Sequence, residues 1–147
     1  MSPDDLVDSE SPPETVIVDC DLDAPPEKVW RALTSAPLIA DWLMQNDFVP
    51  EVGHKFAFRS QPNPQWDGII NAEVLSVEPH TRLAYSWGSM GLETVVTWTL
   101  TATDQGTHLR MEQAGFPDAK GPYFQGATYG WTMFLGKLEG VLEGLKV

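Results

Sequence analysis

The chain is poor in the groups that most often announce a chemistry. It has one cysteine, Cys20, so no disulfide can form within it. A single thiol, with no basic and apolar leader ahead of it, makes a reducing, cytoplasmic setting the default expectation. The three histidines, His54, His80 and His108, are scattered and build no His/Cys/Asp cluster at metal-ligand spacing. No metal or cofactor is therefore expected. The glycines never fall as G-x-G-x-x-G or G-x-x-x-x-G-K, so a phosphate-cradling loop is missing. No window approaches ~18 consecutive apolar residues, which excludes a membrane-spanning helix. Bases are scarce: 9 Lys and Arg stand against 21 Asp and Glu, for a net charge of −12. Nothing basic is clustered, which argues against nucleic acid and against anionic membrane surfaces.

The acidity is unevenly spread. Residues 1–27 hold nine of the 21 acids and no Lys or Arg, which leaves 12 acids against 9 bases in the rest. Residues 1–13 combine Pro, Ser and acid with almost nothing to bury, and read as a disordered acidic tail. Residues 14–147 are long enough for one domain with its own core.

What the chain does have is alternation, then one long helical pattern. Val16, Val18, Cys20 and Leu22 fall on one face of a strand, Asp19 and Asp21 on the other. Pro25 and Pro26 end it and open a short helix with Val29, Trp30 and Leu33 on its apolar stripe. Ser35 is placed to cap a second short helix that buries Leu38, Ile39, Trp42 and Leu43. Residues 46–53 read as a loop. Five more strands follow, over 54–59, 69–77, and around Leu83–Trp87, Val95–Leu100 and Thr107–Gln113, the last four joined by short connections. From Gly121 onward, Phe124, Ala127, Trp131, Phe134, Leu135, Leu138, Val141, Leu142 and Leu145 recur at helical spacing. The pattern predicts an α+β fold: a curved antiparallel sheet of six strands around a long C-terminal helix, with two short helices after the first strand.

This order resembles the START-like, birch-pollen-allergen-like superfamily (SRPBCC) and its helix-grip fold, within it the branch named after the activator of the heat-shock ATPase. The resemblance is carried by Ala24-Pro25-Pro26-Glu27-Lys28-Val29-Trp30-Arg31-Ala32-Leu33, then Trp42, Gly53, Phe56 and Phe58. It continues through Glu73-Val74-Leu75, Glu78-Pro79, Leu83-Ala84-Tyr85-Ser86-Trp87 and Val96-Thr97-Trp98-Thr99-Leu100. It ends with Gly106-Thr107-His108-Leu109 and Gly130-Trp131, followed by Leu135 and Leu138. The order and spacing are specific for fold and much less so for function, because the superfamily holds ligand binders, carriers, cyclases, hydrolases and co-chaperones.

The resemblance implies an apolar cavity between sheet and helix, and the inward faces supply candidates to line it. They are Phe56, Phe58, Leu83, Tyr85, Trp87, Val96, Trp98, Leu109 and Met111 from the strands, with Trp30 from the first helix. Ala127, Trp131, Phe134 and Leu135 face them from the long helix. Gln113, Tyr85 and Tyr129 are the polar candidates, and Trp66, Tyr123 and Phe116 the candidates for an entrance rim. Each aromatic also has a plainer reading as core packing. The leading expectation is an apolar or aromatic small molecule bound without catalysis. Two alternatives stay open: an enzyme or self-sacrificial resistance protein using His54, Tyr85, Gln113 and Tyr129, and a co-chaperone-like partner-binding module. Cys20, on an inward face, reads as an inert small hydrophobe. The glycines at 126, 130, 136, 140 and 144 either let the helix approach the sheet closely, leave room for a ligand, or form a flat face for a homodimer. Close packing within the fold is the preferred reading of the three.

Overall fold

The computed structural model describes residues 14–64, 66–89, 91–116 and 122–145, the side chains of 14 and 122–125 excepted. The expected acidic tail, residues 1–13, lies outside the described residues. The elements in chain order are β1 (Glu14–Leu22), α1 (Pro26–Thr34), α2 (Ala36–Trp42), β2 (Gln45–Asn46) and β3 (Lys55–Arg59). They continue with β4 (Ile69–Glu78), β5 (Arg82–Ser89), β6 (Leu92–Thr103), β7 (Gly106–Phe116) and α3 (Pro122–Gly144). One antiparallel sheet has the order β1-β7-β6-β5-β4-β3-β2. With two short helices after β1 and the long helix α3 last, this is the helix-grip arrangement.

The sheet has a seventh strand beyond the six expected. Gln45 and Asn46 pair with Arg59 and Phe58, inside a stretch too short to alternate. Asn46 fixes it: its amide nitrogen donates to the carbonyls of Ala36 and Met44, and its oxygen accepts the Phe48 N–H.

The two short helices form for local reasons. Pro26 and Glu27 occupy the first turn of α1, which buries Val29, Ala32 and Leu33. Ser35 precedes α2, yet its hydroxyl makes no capping bond; its carbonyl accepts the Ile39 N–H at 2.8 Å. The Trp42 indole N–H donates to the Ala32 carbonyl at 3.0 Å and locks the two helices together.

The strands bury the face that alternation assigned inward. Phe58, Leu83, Val96, Trp98, Leu109 and Met111 are all fully buried, each worth roughly 1.5–3 kcal/mol relative to exposure. From α3 the same core takes Trp131, Leu135, Leu138 and Leu142. Gly106, at φ 156°, lies where a Cβ would meet the Leu22 carbonyl and Ala24, so the β6–β7 turn can press against the end of β1. Thr107 adds a buried bond there, its hydroxyl donating to the Ala24 carbonyl at 2.7 Å.

The glycines of α3 correct one expectation. Among the described residues, a Cβ at Gly126, Gly136, Gly140 or Gly144 would meet nothing within 4 Å. They face away from the sheet, so close packing of helix on sheet is not their reason. The physical cause is the helical period: residues 135, 138 and 142 take the inner face, and 136 and 140 fall on the opposite side.

Candidate functional site

The interior between sheet and α3 is a continuous run of aromatic rings. Phe48 meets Phe56 at 5.2 Å between ring centroids, and Phe56 meets Phe58 at 5.1 Å. Phe58 meets Trp87 at 4.9 Å, and Trp87 meets Trp131 at 5.0 Å. Trp131 in turn touches Trp98 at 5.5 Å and Phe134 at 5.9 Å, and Trp98 touches Trp42 at 5.7 Å. Most contacts are edge-on or tilted, the arrangement the ring quadrupoles favour.

The run is buried along most of its length and reaches solvent at one end. Trp87, Phe134, Trp66 and Ala127 are half-buried, whereas Phe58, Trp98, Met111 and Trp131 are closed off. Trp66 belongs to the same end, because its indole N–H donates to the Ser89 hydroxyl at 2.8 Å, two residues beyond Trp87 on β5. Trp30 does not. Its ring meets His80, 6.1 Å away in the turn at the opposite end of β5. Phe116, expected at a rim, is buried instead. Gly115, at φ 116°, sits in a register shift that pairs Glu14 with Phe116 and Thr15 with Ala114. The bulge turns Phe116 inward where strict alternation would turn it out. The side chain of Tyr123 lies outside the described residues.

The polar groups of the interior form two short hydrogen-bonded sets. In the first, Trp131 Nε1 donates to Gln113 Oε1 at 2.7 Å, and Gln113 Nε2 donates to Thr94 Oγ1 at 2.9 Å. Thr94 passes its own proton to the Trp87 carbonyl at 2.8 Å. In the second, Trp98 Nε1 donates to the Tyr85 hydroxyl at 2.9 Å. Burial holds the Tyr85 phenol far above its ordinary value, and the Trp98 bond only partly offsets it. Phe48 and Thr94 were not singled out from sequence. Thr94 could have been, as the next inward position before Val96; Phe48 stands in a stretch with no alternation to read.

The four residues weighed for catalysis are not gathered. Tyr85 and Gln113 are inside, His54 stacks on Phe56 with its ring nitrogen 3.0 Å from the Asp47 carbonyl, and Tyr129 is 73% exposed on the outer side of α3. Among the described residues no three His, Cys, Asp or Glu side chains group as a metal requires, and no helix is long and apolar enough to cross a membrane. A cleft of about 120 Å³ lies at the far end of α3, lined by Leu22, Asp23, Ala24, Lys28, Glu139, Leu142 and Glu143. It carries no aromatic ring and is small beside the roughly 300–1,000 Å³ typical of ligand pockets.

Known proteins match the chain as follows. The profile of a family described as activator of Hsp90 ATPase homolog 1-like protein matches residues 23–143. The crystal structure of protein MLL2253 from Mesorhizobium loti is 45% identical, with a TM-score of 0.84, the match covering 91% of this chain and 100% of that one. DynU16, from the dynemicin biosynthetic locus, is 29% identical with a TM-score of 0.77 over 90% of this chain; the chain spans about half of DynU16, 48% of its length. CalU16 from Micromonospora echinospora is 25% identical with a TM-score of 0.74, over 88% of this chain and 76% of that one. No curated protein matches the sequence.

Proposed function

The chain belongs to the family of activator of Hsp90 ATPase homolog 1-like proteins, within the SRPBCC superfamily, and from that premise we propose that it binds an apolar or aromatic small molecule at the seam between sheet and α3. One observation carries this reading. The interior ring run opens at Trp87 and Phe134, either side of the buried Trp131. An entering ring can continue the existing edge-on contacts there, at roughly 0.5–1.5 kcal/mol per ring pair beyond the area it buries. Trp66 and Ala127 flank that opening; Phe56, Phe58, Tyr85, Trp98, Met111 and Gln113 form the deeper wall. Trp30 and Phe116 support the core behind it. DynU16, a similar protein, comes from a biosynthetic locus, a setting in which a small-molecule binder has a use. The chain's scattered histidines favour binding over catalysis, and a chaperone partner rests on the family description alone.

The test is a titration with the neutral probe N-phenyl-1-naphthylamine, read by probe emission and by tryptophan quenching. Saturable binding that Trp87→Ala weakens about tenfold or more, with the fold intact by circular dichroism, is the expected result. Absence of saturable binding to this and other neutral ring probes sinks the proposal.

A further inference from the structure

Among the described residues one buried donor in the ring-lined interior, the Tyr85 hydroxyl, has no acceptor, and the half-buried Trp87 beside it makes no hydrogen bond through its indole N–H. The Tyr85 hydroxyl accepts the Trp98 N–H, but among the described residues no acceptor lies within reach of its own proton. Tyr85 is nevertheless only 3% exposed. The indole N–H of Trp87 is also unspent among the described residues, with the ring held between Phe58 and Trp131. Trp42, Trp66, Trp98 and Trp131 each place their N–H on an oxygen, while Trp30, half-buried at the other end of β5, makes no such bond among the described residues. Tyr85 and Trp87 are two apart on β5, so they share a face with Cα atoms about 7 Å apart. The Trp98 bond accounts for the hydroxyl oxygen as an acceptor. What the fold leaves over among the described residues is the hydroxyl proton, beside a ring that Phe48, Phe56 and Phe58 surround, and leaving a buried donor unpaired is unfavourable.

The rest of the interior narrows the complement. Among the described residues, apart from Tyr85 and the tryptophans, the buried polar side chains are Thr94, Thr107 and Gln113, and all three are engaged. Among the described residues no Asp, Glu, Lys or Arg is buried. A charged ligand would lose its hydration and meet no counter-charge. An apolar ligand without oxygen would leave the phenol proton unpaired.

We propose that the ligand is a neutral ring compound bearing an acceptor oxygen, of the aryl-ketone kind, and that the Tyr85 hydroxyl donates to that oxygen. This rests on the ligand-binding reading above. Burial keeps the phenol protonated, so it remains a donor across the working pH range.

The matched pair 9-fluorenone and fluorene tests it, since both carry the same three rings and differ by a carbonyl against a methylene. Wild-type protein is expected to bind fluorenone about fivefold or more tightly than fluorene, the effect of roughly one hydrogen bond. Tyr85→Phe should bring the ratio to about one. That variant also strips Trp98 of its acceptor, so a second measurement uses wild-type protein: the carbonyl stretch of bound fluorenone should fall below its position in hexane. Equal binding of the two probes, as a buried water on Tyr85 would give, overturns the inference and leaves ligand binding standing. So does an unshifted stretch, or a preference that survives Tyr85→Phe. Failure of both probes to bind removes the binding reading itself, and this one with it.

Discussion

Trp131 on α3 donates its indole N–H to the side-chain oxygen of Gln113 on β7 at 2.7 Å, a buried bond across the seam between helix and sheet. Gln113 is 2% exposed and Trp131 3%. The bond fixes where α3 sits over the sheet, and therefore how far Trp131 stands from Trp87.

Gln113→Leu keeps the volume and removes both halves of the amide. Trp131 Nε1 then has no acceptor, and Thr94 Oγ1 loses the donor it now receives. Stability should fall by about 1–3 kcal/mol, the usual cost of orphaning a buried polar group. Urea denaturation measures it. A change inside ~0.5 kcal/mol would mean the bond contributes nothing net.

The sequence made the inward strand faces legible, because a period of two sorts Leu83, Tyr85 and Trp87 from Arg82, Ala84 and Ser86. It made Gln113 and Trp131 candidates but could not join them. Which strand residue meets which helix residue depends on the axial position of α3, set by packing 18 residues away in the chain. Phe48 escaped because its turn-bound segment has no period. Phe116 stands beside a break in the pattern, which suggests a rim; the bulge at Gly115 turns it inward instead. The outward glycines were legible and misread: at 100° per residue, Gly136 and Gly140 each stand about 160° from the buried Leu138.

The outer face of the β1–β7 pair should make stability depend on pH. His108 Nδ1 lies 2.8 Å from Asp21 and its Nε2 lies 2.9 Å from Asp19, while Arg110 Nε donates to Asp19 at 2.8 Å. Glu112 follows on β7, and the facing β6 positions are Thr101 and Thr99. Bonds to Asp21 and then Asp19 raise the His108 value above its ordinary 6.5. Hydrogen bonding to Arg110 lowers that of Asp19 below 3.8. A raised histidine contributes fully below 6.5, and its share is lost as pH rises through the raised value. A lowered carboxyl contributes above 3.8 and loses its share as pH falls through the lowered value. The cluster should therefore be strongest between about pH 4 and 6.5. An NMR titration of His108 checks this, with Asp21→Asn expected to shift its midpoint down. A wild-type midpoint at or below 6.5 refutes it.

Cys20 should react slowly. It is half-buried on β1, and burial first, then the nearby charges of Glu139, Asp21 and Asp19, push its thiol up to about 11. Little thiolate exists at pH 8, and the thiolate is the nucleophile. Iodoacetamide at pH 8 should modify folded protein at least tenfold more slowly than urea-unfolded protein, followed by mass spectrometry. Equal rates would place Cys20 in an open environment.

The outward glycines give the last prediction, and it separates two uses of α3. A glycine in a helix interior costs about 1 kcal/mol relative to alanine. Gly136 and Gly140 have open space where a methyl group would go. If that face meets only water, Gly136→Ala and Gly140→Ala should each stabilise by roughly 0.5–1 kcal/mol and raise Tm by about 1–4 °C. If a second copy packs there, with Met133 and Tyr129 exposed on the same side, the added methyls fall at the contact. The alanines would then lower Tm by an amount that depends on protein concentration and shift sedimentation toward monomer. The open surroundings of both glycines favour the first outcome: stabilisation independent of concentration, with sedimentation unchanged.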